Sequence, residues 1–105
     1  MNVISVQDLK ALVEGGLPVG TVVIDCRTPD EHALEHMPFT QLIPLDEIEQ
    51  RADELKGFDQ IFLHCRSGGR SADACQRLEA LGFADLVNVE GGLLAWKDAG
   101  YELVS

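Results

Sequence analysis

Cationic residues are scarce in this chain: 8 Lys and Arg stand against 18 Asp and Glu, a formal net charge of −10 with a sequence pI near 4.5. Polyanionic partners such as nucleic acid or an anionic membrane surface need clustered Lys and Arg, so both are excluded as expectations. Long apolar runs are missing too, and Met1 to Lys10 has no basic start, apolar core or cleavage site. No signal peptide or membrane span is therefore expected, and the chain reads as cytoplasmic. Cysteine is limited to Cys26, Cys65 and Cys75, an odd number with no Cys-x-x-Cys pair, which fits free thiols in a reducing compartment. The three histidines have no metal-ligand spacing with a cysteine pair, so no metal site is expected. What remains is ordinary for a folded domain: 105 residues, 46% hydrophobic and 25% charged, expected to form one domain over 1–105.

Strand and helix signals alternate along the chain. Ser5 and Asp8 open a helix carrying Leu9, Leu12 and Val13, which Gly15 and Gly16 end. Thr21 to Asp25 is a β-branched run too continuous for a half-exposed strand, so it reads as a buried strand of a parallel sheet. Thr28, Pro29 and Glu31 then supply a cap, a first-turn proline and a capping-box acid, and Met37-Pro38 closes that helix. Gln41 to Ile43 reads as a strand, and Leu45, Ile48, Ala52 and Leu55 trace one face of a following helix. Gln60 to His64 is a third strand, joined by a loop from Cys65 to Arg70 to a helix from Ser71 to about Leu81. Leu86 to Val89 is a fourth strand, and Leu93 to Asp98 a last helix. This alternation predicts an α/β fold with a central, mostly parallel sheet of about five strands and helices on both faces.

The chemistry concentrates in His64-Cys65-Arg66-Ser67-Gly68-Gly69-Arg70-Ser71, between a strand and a helix. Ligands of open α/β sheets bind where strands end, and two glycines let successive N–H groups turn inward as an anion cradle ahead of a helix N-terminus. Cys65 at the mouth of that cradle, beside Arg66 and Arg70, has its thiolate favoured and is the candidate nucleophile. From Gln60 to Leu78, Arg66, Arg70 and Arg77 face only Asp73, so this stretch is positive within an acidic chain. Half the acids lie instead between Thr28 and Asp59. A cysteine after a strand is often only a small buried hydrophobe, and a Gly-Gly pair often only a turn. Cys, two Arg, two Gly and two Ser converging in one loop argue for chemistry. Cys75, grouped with Ala72, Leu78 and Leu81, reads as core, with a resolving thiol for Cys65 as its alternative; Cys26 ends a strand near the same sheet edge and reads as packing, with closeness to the site as its alternative, and Trp96 and Phe83 read as core. His36 reads as a structural hydrogen bonder, and Asp25 with Arg27 as an anchor of the strand end.

These residues resemble the rhodanese family, specifically its small single-domain sulfurtransferases. Asp25-Cys26-Arg27 before Thr28-Pro29-Asp30-Glu31, His36-Met37-Pro38, Ile43-Pro44-Leu45, the Cys65 loop, and Val89-Glu90-Gly91-Gly92 with Trp96 run in family order. Departures are Phe39-Thr40 where Gly-Ala is usual, His32 where an aromatic is usual, and Cys26 in place of an aliphatic residue. The resemblance implies a sulfurtransferase in which Cys65 takes a sulfane sulfur from a donor such as thiosulfate and passes it to cyanide or a thiol. Arg66, Ser67, Gly68, Gly69, Arg70 and Ser71 are the implied substrate-binding residues, with no metal or organic cofactor. Arg70 is left between binding the donor and holding the loop through a carboxylate pair. Cysteine phosphatases place five residues between Cys and Arg; here four separate Cys65 from Arg70, which favours sulfur over phosphate. The acidic surface, Glu47 and Glu49 included, fits a basic acceptor protein. The alternative is a sulfur-carrier or regulatory module that acts only on a protein partner.

Overall fold

A computed structural model describes residues 1–105. Its sheet has five parallel strands, β1 (Asn2–Ile4), β2 (Thr21–Asp25), β3 (Gln41–Leu42), β4 (Gln60–His64) and β5 (Leu86–Val89), in the order β1-β5-β4-β2-β3. Four helices accompany them: α1 (Val6–Glu14), α2 (Pro29–Leu34), α3 (Gly69–Ala80) and α4 (Gly92–Asp98). The α/β expectation holds, and the sheet is parallel throughout. No helix is long and apolar enough to cross a membrane.

Two apolar layers sandwich the sheet because β2 and β4 alternate their side chains between faces. Val22, Ile24, Ile61 and Leu63 join Ala74, Cys75 and Leu78 of α3 with Ile48, Ala52 and Leu55. Val23 and Phe62 point the other way, onto Val6 and Leu9 of α1 and Leu93 and Trp96 of α4. Continuous hydrophobicity in β2 and β4 follows from burial on both faces. Trp96 is closed off, donating its indole N–H to the Glu102 carbonyl at 2.7 Å, while Phe83 packs half-buried against the α3-side layer.

Three expectations need correction, and one strand escaped the sequence reading. β1 gave no periodic signal: it is three residues long at the sheet edge, and its partners Val87, Asn88 and Val89 lie far along the chain. The segment from Leu45 to Leu55 is two 3-10 turns, Leu45–Glu47 and Ala52–Leu55, rather than one α-helix. Apolar residues three and seven apart suit either geometry, and the tighter helix rises more per residue, about 2.0 Å against 1.5 Å. Ile48, Ala52 and Leu55 are buried as the pattern required, so tertiary packing chose the helix type. α3 begins at Gly69, so Gly69 and Arg70 belong to the helix and the loop is shorter than expected. Leu81 caps α3 and is 52% exposed rather than core, because the helix ends at Ala80.

Candidate active site

Parallel strands end at one edge, and β4 delivers Cys65 there beside the end of β2, where Asp25 pairs with His64. Gly68, with φ of 118°, caps α3 without any side-chain cap, and the first turn of α3 holds no acid. By contrast, α2 is closed by the Thr28–Glu31 capping box. The uncapped N-terminus of α3 has another acceptor: the Gly68 N–H donates to Cys65 Sγ at 3.1 Å and the Ser71 N–H at 3.4 Å. The Ser71 hydroxyl is also 3.4 Å from Sγ. Burial of the sulfur raises the Cys65 pKa, but the Ser71 hydroxyl and the Ser71, Gly68 and Ser67 amides outweigh it, leaving the thiol below its ordinary 9.0.

Asn88 was not singled out by its sequence context, yet it ties the cradle together. The Ser71 hydroxyl carries one proton and lies 2.6 Å from Asn88 Oδ1, while the Asn88 amide reaches the Gly68 carbonyl at 3.4 Å. Gly68 and Ser71, the two residues that hold the sulfur, are thus braced by one side chain from β5. A second brace comes from α4, whose Leu93 and Leu94 amides donate to the Cys65 and Arg66 carbonyls at 2.9 and 3.0 Å.

The arginines divide in role. Arg70 makes a two-pronged pair with Glu31, at 2.6 and 2.9 Å, so it pins the start of α3 to α2. Arg77 pairs with Asp73 and with Glu49. The positive stretch read from the sequence is therefore narrowed, because acids from the first half of the chain fold back onto it. Of the eight Lys and Arg side chains, Arg66 alone has neither a carboxylate nor an aromatic ring against it. Arg66 is exposed at the mouth of the loop, as is Ser67, while Ser71 is buried.

Beneath the loop, Asp25 accepts from the Arg27 backbone N–H at 2.9 Å and from its guanidinium at 2.7 Å, with His32 Nδ1 at 3.0 Å. Arg27 extends the brace to the Glu31 and Glu35 carbonyls. This is the strand-end anchor expected of the pair. His36 hydrogen-bonds the His32 carbonyl and stacks on its ring. His64 is buried with its Nε2 unpaired, 3.9 Å from Asp25 Oδ2, and burial lowers its pKa. No group of His, Cys, Asp or Glu has the arrangement of a metal site.

Burial alone would raise the Asp25 carboxyl, but Arg27 overrides it and holds the pKa at about 2, and Arg70 holds Glu31 at about 2. Both folded-state values lie below the unfolded ones. Their stabilisation is thus complete above about pH 4.5 and lost as pH falls toward 2. For Asp25 the difference from 3.8 to about 2 corresponds to about 2 kcal/mol. Thermal unfolding between pH 5 and pH 2 checks this, and a flat profile across that range would contradict it.

The chain is similar to known proteins in sequence and in fold. Residues 5–99 match the Rhodanese-like domain family. YrkF of Bacillus subtilis, named as a candidate sulfur carrier protein, is 38% identical over 74 residues, covering 70% of this chain but only 40% of that protein. A protein of Allochromatium vinosum named Sulfurtransferase is 33% identical over 84 residues, covering 80% of this chain and 78% of its own. The crystal structure of a rhodanese-like domain protein from Staphylococcus aureus covers both chains completely, with 38% identity and a TM-score of 0.79. By its matched length, its fold and its relatives, this chain belongs to the rhodanese-like domain family.

Proposed function

We propose that this chain is a sulfurtransferase that carries sulfane sulfur from thiosulfate or a persulfide donor to a thiophilic acceptor, cyanide or a thiol, on Cys65. The observation that carries the reading is the Cys65 sulfur, 3.1 Å from the Gly68 N–H and 3.4 Å from the Ser71 N–H, with its pKa held below the usual value. The thiolate attacks the outer sulfur of thiosulfate, the donor's S–S bond breaks, and sulfite leaves with the bonding pair. The terminal sulfur of the resulting persulfide carries the charge, and the N–H groups of the loop and the α3 N-terminus stabilise it without reorganising. Acceptor attack on that terminal sulfur returns Cys65 as thiolate. Arg66, unpaired at the mouth, attracts the dianionic donor, whereas Arg70 serves by holding the cradle against Glu31. Cys65 is only 1% exposed, which favours a cargo of one atom presented on a slender donor.

The second reading is delivery to a docked protein alone, and the candidate carrier YrkF favours it. A basic acceptor remains compatible with the net charge, although Glu47 and Glu49 are already engaged by Arg51 and Arg77. Incubation with thiosulfate, intact mass measurement, then cyanide with thiocyanate detection tests both readings. The enzyme reading expects one added sulfur atom and repeated turnover. A loaded protein with barely more than one thiocyanate per chain would favour the carrier, and no added sulfur would sink both.

A further inference from the structure

Cys26 is unused by the proposed transfer, yet the sheet sets it beside Cys65. Asp25 and His64 are register partners in the parallel strands β2 and β4, and the ladder continues one step further, with the Cys26 N–H donating to the His64 carbonyl at 2.8 Å. Cys26 and Cys65 are the next residue on each strand. Cys26 follows Ile24 onto the α3 face of the sheet, among the residues of that layer, and Cys65 follows Leu63 onto the same face, where its sulfur meets Ser71 of α3. Neighbouring strands lie about 4.8 Å apart. That spacing falls inside the roughly 4.4–6.8 Å between Cα atoms that a disulfide spans. Cys26 also lines a pocket of about 280 Å³ with Thr28, Pro44 and Arg70. Cys75 has no such placement, since it sits on α3 itself within the apolar layer.

We propose that Cys26 is an internal acceptor for the Cys65 persulfide, discharging it as hydrosulfide when no external acceptor arrives. The inference rests on the persulfide reading above. In the step, the Cys26 sulfur attacks the inner sulfur of the persulfide, the bond between the two persulfide sulfurs breaks, and the terminal sulfur leaves with that electron pair. The Cys26 proton departs with it, so Cys65–S–S⁻ and Cys26–SH become a Cys65–S–S–Cys26 disulfide and HS⁻. The sulfane sulfur is reduced to sulfide as the two cysteine sulfurs are oxidised, and no outside oxidant takes part. The terminal sulfur is held by the loop amides, away from β2, which leaves the inner sulfur as the one Cys26 meets. Burial pushes the Cys26 thiol well above its ordinary pKa, which leaves little thiolate and slows its attack.

The test loads wild-type protein and Cys26→Ser with thiosulfate, removes excess donor, and follows intact mass and released sulfide without any acceptor. Both proteins are expected to gain one sulfur atom. The wild type then loses it, releasing one sulfide per chain and ending two hydrogens lighter than at the start, while Cys26→Ser keeps its added sulfur. Trypsin should yield residues 11–27 linked to residues 57–66, a link that a dithiol reductant opens. Sulfur that persists equally in both proteins, leaves both at the same rate, or ends in a link to the Cys75 peptide overturns the inference and spares the persulfide reading. If neither protein gains sulfur, that reading falls and the inference with it.

Discussion

Cys65→Ser is expected to abolish sulfur loading and to lower thiocyanate formation to the uncatalysed rate, a loss of roughly a thousandfold or more, as for other nucleophile deletions. Oxygen in place of sulfur keeps the size and accepts the same donors, the N–H groups of Gly68 and Ser71. Stability should therefore change by no more than about 1 kcal/mol, the net worth of one hydrogen bond. Intact mass after thiosulfate, thiocyanate colorimetry and urea unfolding on the same preparation separate chemistry from folding. Cys75→Ala serves as the control for thiol loss away from the loop, because Cys75 lies within the apolar layer and its pKa is pushed up to about 11. Turnover that survived in Cys65→Ser would remove the nucleophile from the mechanism.

Gly92→Ala should damage both fold and site. Gly92 has φ of +52°, and a Cβ there would lie 2.3 Å from the Cys65 carbonyl oxygen and 2.9 Å from that of Arg66. Neither obstacle is the far end of a flexible side chain; both are backbone acceptors already held by the Leu93 and Leu94 amides. The methyl group must push α4 off the loop or push the loop off the sulfur. The left-handed conformation adds its own penalty for a side chain, and the sum is about 3 kcal/mol or more. For a domain of this size that is a fall in Tm on the order of 15 °C. Residual folded protein should load sulfur poorly, since the carbonyl of Cys65 cannot move without its sulfur. Gly57→Ala is the matched control: its conformation is ordinary and no atom stands within 4 Å of the added methyl. It should leave Tm unchanged or raise it slightly. Equal behaviour of the two variants would show that α4 does not clamp the loop.

The cradle was legible because its parts are contiguous. Cys65, Gly68 and Ser71 span seven residues, and a strand followed by glycines and a helix has few ways to fold other than with N–H groups turned inward. The Thr28–Glu31 capping box was equally local, three residues from donor to acceptor. Glu31 shows where that legibility stops. Its capping role could be read from its neighbours, but its pair with Arg70, 39 positions away, could not. The same holds for Asn88, 17 positions from Ser71, and for Gly92, whose need to lack a side chain arises only where α4 meets the Cys65 carbonyl.

Charge is the clearest division between the two levels. Sequence alone determined that the chain is acidic, that it folds as alternating strands and helices, and that one cysteine stands at a strand end before a glycine turn. Periodicity, capping and turn chemistry are properties of residues a few positions apart, so a linear string carries them. Only the tertiary structure decided which of the few cations remain free. Acids from α2 and the 3-10 segment pack against Arg70 and Arg77, leaving Arg66 at the mouth, and the strand register sets Cys26 beside Cys65. Those pairings follow from strand order and register, and parallel strands bring distant residues together with no local mark on either.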